Sequence, residues 1–285
     1  MSVNDLTRFI YEAACCGLRD FFVKNGYKKA CVGVSGGIDS AVVACLAVAA
    51  LGAENVRGLM MPSQFSSEGS VEDAKQLAEN LGIEFHVVPI TEAYRSIVDT
   101  LIPVIGGTDF DATEENIQSR IRTLMLMALQ NKNGYVLLNC SNKSENALGI
   151  CTLYGDTGGA FSVTGDLYKT EMYDLARYIN RKFGAPIPEN ILTKEPSSEL
   201  RPNQKDSDML PSYEVVDAIL YRLIEDGQSR EEIINAGFDS DEVQKIYAMV
   251  MRNEKKRFQY PPVLRLSSSS FGHEYRMPLT HKYVM

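Results

Sequence analysis

The stretch from Ala30 to Leu51 constrains the fold most. Ala30-Cys-Val-Gly-Val34 is a short apolar run that passes directly into Ser35-Gly36-Gly37-Ile38-Asp39-Ser40 and then into a helix-forming segment, Ser40 to Leu51, closed by Gly52. An all-apolar strand that feeds an apolar helix through a glycine turn needs cover on both faces. A parallel sheet between two helix layers supplies it.

The rest of the chain repeats the pattern. Leu6, Phe9, Ile10, Ala13, Ala14, Leu18, Phe21 and Phe22 recur at helical spacing and predict a helix over 4–25, ended by Gly26. Val56 to Met61, Phe85 to Ile90 and Tyr135 to Asn139 carry the strand signal. Between the first two, Ser70 and Asp73 form a capping box for a helix to Leu81, ended by Gly82. A long helix precedes the last strand, with Ile117, Ile121, Leu124, Met125, Ala128 and Leu129 on one face. The expected fold class is α/β, a doubly wound parallel sheet. Helices are expected at about 212–226, 229–236 and 240–256, followed by a tail containing proline and serine. Two stretches lack apolar periodicity: 103–116, with Gly106-Gly107, and 194–211, with three prolines and seven charges. Long loops inside a compact domain are usually lids or disordered. The chain is therefore expected to be one domain, a nucleotide-binding core over 1–190 with a lid loop, helices and tail over 191–285.

Composition narrows the setting. With 45% apolar and 23% charged residues the chain can bury a full core. Its longest mostly apolar run, Ala41 to Ala53, falls short of the ~20 residues that span a bilayer, and no basic-then-apolar leader opens the chain. Six cysteines contain no CxxC, and Cys31 and Cys45 sit in apolar runs. These features imply a cytoplasmic, reducing setting without a cysteine zinc site. The net charge of −8 disfavours generic nucleic-acid binding, and no membrane partner is expected.

A glycine turn between a strand and a helix places backbone N–H groups at the carboxyl edge of the sheet, where an anion can sit. Ser35 and Ser40 add hydroxyl donors, and Asp39 adds a carboxylate that a magnesium ion bound to pyrophosphate would need. The same hexapeptide also reads as an ordinary turn with Ser40 as a cap. It has no following lysine, so it is not the loop of enzymes that cleave the γ-phosphate, nor is it G-x-G-x-x-G. A second cluster, Asn142-Lys-Ser-Glu-Asn-Ala-Leu-Gly149 and Thr152-Leu-Tyr-Gly-Asp-Thr-Gly-Gly159, follows the fourth strand and opens on the same side of the sheet. Glu145 could there be a second metal ligand or an exposed acid. Lys169 and Lys194, in polar segments without period, could pair with phosphates or be solvated.

The loop SGGIDS resembles the pyrophosphatase loop of enzymes that split ATP between its α- and β-phosphates to adenylylate a substrate. With SGGIDSA (35–41), ENIQSRIR (115–122), NKSENALG (142–149), TLYGDTGG (152–159), VTGDLYKTEMYDLAR (163–177), KEPSSELRPNQKDSD (194–208) and KRFQYPP (256–262), the chain resembles the NAD synthetases almost end to end. The resemblance implies the Rossmann-like fold of adenine nucleotide alpha hydrolases. It also implies ATP-dependent amidation of nicotinic acid adenine dinucleotide to NAD through an acyl-adenylate. In that likeness Ser35, Gly36, Gly37, Ile38, Asp39, Ser40, Cys140, Lys169 and Ser197 bind ATP, and Asp39 and Glu145 carry magnesium. Arg120, Lys255 and Lys256 bind the dinucleotide, Asp39 and Lys169 are catalytic, and the protein is a homodimer.

Cys140 stands where many members have threonine, and Leu153 stands in place of the lysine of ammonia-using forms. These departures, with LRPNQKDSD and Arg276 to Pro278, are more like the synthetase half of glutamine-dependent enzymes. No amidase segment is seen, so the implied nitrogen donor is ammonia, free or from a separate glutaminase. Two alternatives are another adenylylating synthetase with the same loop, forming an amide or a thio group, and a non-catalytic nucleotide sensor. The acidic chain without a catalytic cysteine pair speaks against a tRNA-modifying enzyme, and the pair Asp39 and Glu145 speaks against a sensor. The basic cluster Arg252, Lys255, Lys256 and Arg257 reads equally as a solvated helix end or a phosphate or lid contact.

Overall fold

Side chains alternate along the central strands and divide between two cores. The structure, a computed structural model, describes residues 3–106 and 109–281. In β1 (Lys29–Gly33), Ala30 and Val32 face one core and Cys31 the other; in β4 (Tyr135–Asn139), Val136 and Leu138 oppose Tyr135 and Leu137 in the same way. Both faces are thus covered. The sheet is parallel throughout, in the order β3-β2-β1-β4-β5, with β2 at Val56–Met60, β3 at Glu84–Val87 and β5 at Phe161–Ser162. The chain moves outward from β1 in one direction and then returns to β4 on the other side of β1. The carboxyl ends of β1 and β4 therefore flank the switch point of the strand order.

One face is covered by α1 (Val3–Lys24), α2 (Ile38–Leu51), α3 (Glu68–Leu81) and α7 (Lys169–Phe183), and the other by α4 (Thr91–Ile105) and α5 (Ala112–Asn133). Two short helices, α6 (Lys143–Leu148) and α8 (Glu189–Thr193), lie between core elements, and α8 straddles residue 190. A third core joins α6 to α9 (Tyr213–Ile224), α10 (Arg230–Asn235), α11 (Ser240–Arg252) and Phe271 of the tail. The tail returns to the sheet, where Val263 bridges Ser162 and Leu264 packs against Gly17. Among the described residues no helix is long and apolar enough to cross a membrane.

Four sequence expectations need correction. The stretch 103–116 is mostly helical: α4 carries Pro103 in its last turn, and Asp111 with Glu114 forms a capping box that starts α5. Proline there forfeits only one bond near the helix end, while Tyr94, Ile97, Val98 and Leu101 pack on the α5 side of the sheet. Among the described residues the break shrinks to 106 and 109–111; Gly107 and Thr108 lie outside the described residues. The cap of α3 is Ser67, which accepts from Ser70 N–H at 3.1 Å, so the helix begins a turn before the expected Ser70 box. The third strand ends at Val87, short of Ile90, which is buried as the residue preceding α4. Lys169 opens a regular helix, α7, whose Met172, Leu175, Ala176 and Ile179 recur at helical spacing and are buried.

The cap of α7 also sets a pH dependence. Glu171 accepts from the Tyr168 N–H at 2.8 Å, and burial pushes its carboxyl up from 4.5 to about 7. A raised carboxyl means that the folded chain holds this proton more tightly than the unfolded chain. Its contribution is therefore fully present below the unfolded value and lost as pH rises through the folded value. Glu171→Gln keeps the acceptor and removes the titration. The unfolding free energy of the variant is expected to fall less than that of the parent between about pH 5 and about pH 8, by on the order of 1–3 kcal/mol in urea titrations. Parallel pH profiles would dissociate Glu171 from the effect.

Candidate functional site

The segment after β1 turns as the glycines require. Gly36 has φ +78°, and a Cβ there would stand 2.2 Å from the Ser70 carbonyl oxygen, so only glycine lets this loop lie against the start of α3. Ser35 and Ser40 hydroxyls lie 3.1 Å apart, and Ser40 Oγ donates to Gly37 O at 3.0 Å. The first turn of α2 then presents its N-terminus at the end of β1.

Across the switch point, β4 ends and Asn142 caps α6, accepting from the Glu145 N–H at 2.9 Å. Glu145 thereby points back at the glycine loop. From α7 the Lys169 ammonium reaches in, donating to Asp39 Oδ2 at 2.6 Å and to Glu145 Oε1 at 3.4 Å. Three ionisable groups from the ends of three elements thus meet at one point. Burial drives the Glu145 carboxyl up to about 8, with Asp39 adding to the rise and Lys169 opposing it. Burial also pulls on Lys169, but the two carboxylates outweigh it and hold the ammonium above its ordinary range.

This point lies on the wall of a cavity of about 310 Å³. Ser35, Gly37, Ile38, Asp39, Ser40, Cys140, Glu145, Lys169 and Ser197 line it, while Gly36 acts from behind as the loop's contact with α3. Leu59, Met61, Leu126 and Leu137 make an apolar end suited to a flat base, and the glycine loop makes a polar end suited to phosphates. Two carboxylates suit a hard divalent ion such as magnesium, which takes its other ligands from phosphate oxygens and water. The neighbouring Cys140 thiol is held protonated by burial and by the Asp39 and Glu145 charges, so it offers no soft thiolate ligand. Among the described residues no three His, Cys, Asp or Glu side chains converge as a closed metal cage. The donor set fits a cation shared with phosphates.

The segment 194–208 closes over the cavity without regular structure beyond a turn at Asp206–Asp208. Lys194 Nζ donates to Ser70 Oγ at 3.1 Å and pairs with Asp73 at 2.9 Å. Glu199 accepts from both the Ser67 and Ser70 hydroxyls at 2.8 Å, and Arg201 pairs with Glu115 at 2.9 Å. Ser197 Oγ is held by the Gln204 carbonyl at 2.5 Å.

Arg120, Lys255 and Lys256 do not line this cavity. Arg120 is exposed and donates to Leu153 O at 3.1 Å, Lys255 is exposed, and Lys256 bonds Gly149 O at 2.6 Å and Cys151 O at 2.9 Å. Arg257 is neither a solvated helix end nor a lid contact. It is buried beside Glu254, and its guanidinium donates to Ala147 O at 2.8 Å, at the end of α6, and to Val250 O at 2.5 Å, which also accepts from the Asn253 N–H at the end of α11.

Two lining residues, Arg122 and Asp206, and one that bonds Asp39 from outside the lining, Asn142, escaped the sequence reading. Asn142 was legible as a cap, since a glutamate follows three residues later. Arg122 donates to Met61 O at 3.0 Å, and burial lowers its pKa only to about 10, so it brings a cation to the cavity wall. Asp206 reaches the cavity from a segment with no local signal.

Residues 10–260 match the protein family described as NAD synthase. Over 274 residues the chain is 52% identical to the glutamine-dependent NAD(+) synthetase of Aquifex aeolicus, with 96% of this chain aligned to 48% of that protein. The chain spans about half the length of the curated relatives it matches. Among solved structures, the glutamine-dependent NAD+ synthetase from Acinetobacter baumannii in complex with ADP superposes with a TM-score of 0.65 at 41% identity, covering 96% of this chain and 49% of that one. The NH3-dependent NAD synthetase from Campylobacter jejuni gives 0.70 at 29% identity, covering 90% and 96%. A parallel sheet with a glycine-serine loop and two carboxylates at its switch point is thus joined to a family match over most of the length, and the chain belongs to the NAD synthase family, whose members are ligases.

Proposed function

We propose that this chain makes NAD from nicotinic acid adenine dinucleotide, ATP and ammonia. A carboxylate oxygen of the dinucleotide attacks the α-phosphorus of ATP and pyrophosphate leaves; ammonia then attacks the acyl carbon, AMP leaves, and a proton is released with the new amide. The observation that carries this reading is the meeting of Glu145 and Lys169 with Asp39 of the glycine-serine loop on the wall of one cavity. A carboxylate cannot be amidated directly because its oxygen leaves poorly, and adenylylation supplies a good leaving group.

The N-terminus of α2, with the Ser35 and Ser40 hydroxyls, is suited to hold the phosphate chain. The Lys169 ammonium is placed to stabilise charge that develops on the departing pyrophosphate. Magnesium bound by Asp39 and Glu145 would neutralise phosphate charge. Lys194 and Ser197, on the segment over the cavity, would close on bound nucleotide and keep water from the acyl-adenylate. Arg120, Lys255 and Lys256, outside this cavity, are proposed to meet the dinucleotide.

The donor is proposed to be ammonia, free or passed from a separate glutaminase. The cavity's own thiol, Cys140, is held protonated and so is a poor nucleophile toward glutamine. Given ATP, the dinucleotide and magnesium, the purified chain is expected to release AMP and pyrophosphate one-to-one with NAD when ammonium is added, and to be inactive with glutamine alone. ADP as product would reject the chemistry, and glutamine-driven turnover would reject the donor. AMP formation with other acids but not this dinucleotide would favour a different adenylylating synthetase, and nucleotide binding without turnover would favour a sensor.

The protein is proposed to act in the cytoplasm as a homodimer. Leu124, Val104 and Ile105 on the α4 and α5 side, and Leu6 and Phe9 on α1, are exposed apolar side chains that a second copy could cover. Light scattering should give twice the mass of the chain.

A further inference from the structure

Asn142 is fully buried at the head of α6, and its side chain serves two elements. Its Oδ1 accepts from the Glu145 N–H at 2.9 Å, while its Nδ2 donates to Asp39 Oδ1 at 3.0 Å. The two neighbours fix the orientation of the amide, because the opposite flip would set its oxygen against a carboxylate and its NH2 against an N–H. Asp39 is thereby held at both oxygens, by Asn142 on one and by Lys169 on the other at 2.6 Å.

Asn142 has little freedom to move. The next residue, Lys143, is also fully buried; its N–H donates to Leu167 O at 2.7 Å, and its ammonium pairs with Asp166 at 2.9 Å, with Glu225, and with Ser267 Oγ at 2.7 Å. Ser144 is tied to Asp217 at 2.5 Å. The start of α6 is thus clamped to α9 and to the tail. As a helix cap alone, asparagine has no advantage here, since serine and threonine also cap well. What the amide adds is a donor aimed at Asp39.

We propose that Asn142 is a positioning residue that turns the Asp39 carboxylate toward Glu145, so that the two act as one pair of ligands for a divalent cation brought with ATP. The proposal rests on the assignment of Asp39 and Glu145 to that cation. Groups that orient metal ligands typically change metal affinity or activity about 10–100-fold when removed.

Asn142→Ser keeps the cap and deletes the donor. ATP binding is measured by calorimetry across a magnesium titration and again in EDTA. The magnesium concentration giving half-maximal ATP binding is expected to rise about 10–100-fold, while ATP binding in EDTA stays at the parent value and the free chain melts lower for want of the buried donor. An unchanged magnesium dependence overturns the proposal. So does an equal loss of ATP binding with and without magnesium, which is the mark of a merely structural role. Asn142→Thr serves if the serine variant does not fold, and failure of both would make the residue structural and also overturn the proposal. Asp39→Asn is titrated alongside. If it leaves the magnesium dependence untouched, the cation assignment itself fails; if it shifts the dependence and Asn142→Ser does not, only the positioning role fails.

Discussion

Replacing Asp39 by asparagine is expected to cut pyrophosphate release by about 10²–10³ at saturating ATP, the usual loss when a group that stabilises developing charge is removed. Although Asp39 sits in the first turn of α2, the change also touches the fold. The side chain is only 18% exposed and is bonded to the Lys169 ammonium at 2.6 Å and the Asn142 amide at 3.0 Å. An asparagine at this position has one oxygen to answer those two donors, so a stability cost of about 1–3 kcal/mol accompanies the loss of turnover. Glu145 also responds. After burial, the Asp39 charge is the largest cause of its raised carboxyl, so without that charge Glu145 ionises at lower pH. Any residual activity that needs Glu145 ionised should therefore persist to lower pH than in the parent. Turnover near the parent value would remove Asp39 from the chemistry, whatever happened to the melting temperature.

The fold was legible where local signals and burial agree. The bounds of the fourth strand, Tyr135–Asn139, follow from four apolar or half-apolar residues buried on both faces and ended by Asn139, and the glycine loop is legible because only its composition permits the turn and the close approach to Ser70. Two errors have one cause, a breaker or a charge taken as the end of a period. Pro103 hid the last turn of α4, and the charged residues around Lys169 hid α7, whose apolar stripe lies three, six, seven and ten residues farther on. The sequence reading put the candidate carboxylates, Asp39 and Glu145, on one edge of the sheet, but not their contacts with Lys169 and Asn142. Asp39 and Lys169 are 130 residues apart, and Asp39 and Asn142 are 103 apart, so no local pattern reports that they touch. Parallel topology explains the meeting, because it delivers the ends of β1 and β4 to one edge and lets α7 start there. The lid contacts of Glu199 and Arg201 lie beyond sequence reasoning for the same reason. Their partners, Ser67, Ser70 and Glu115, begin helices that are themselves placed only by the sheet.

Lys169→Met tests whether this ammonium and a divalent cation use the same two carboxylates. Methionine keeps the length and packing of the stem and removes the charge. Asp39 and Glu145 then face each other with no cation between them, and breaking a buried pair in this way typically costs about 3–5 kcal/mol. Glu145 can soften the loss by taking a proton, because Lys169 is the group that holds its raised carboxyl down. Turnover is expected to fall by about 10² or more, since the charge that would meet the leaving pyrophosphate is gone. The discriminating measurement is made without nucleotide. In the parent, magnesium must compete with an ammonium already 2.6 Å from Asp39, so magnesium alone should raise the melting temperature little. In Lys169→Met the competitor is absent, and stabilisation by a bound ligand grows as RT ln(1 + [L]/Kd), so the same magnesium concentration should raise the melting temperature more. Calcium or manganese should act similarly if the pair accepts hard cations in general. Equal shifts in the two proteins would mean that the ammonium and the cation occupy separate places, and Lys169 would then act on the phosphates without sharing the Asp39 and Glu145 ligands.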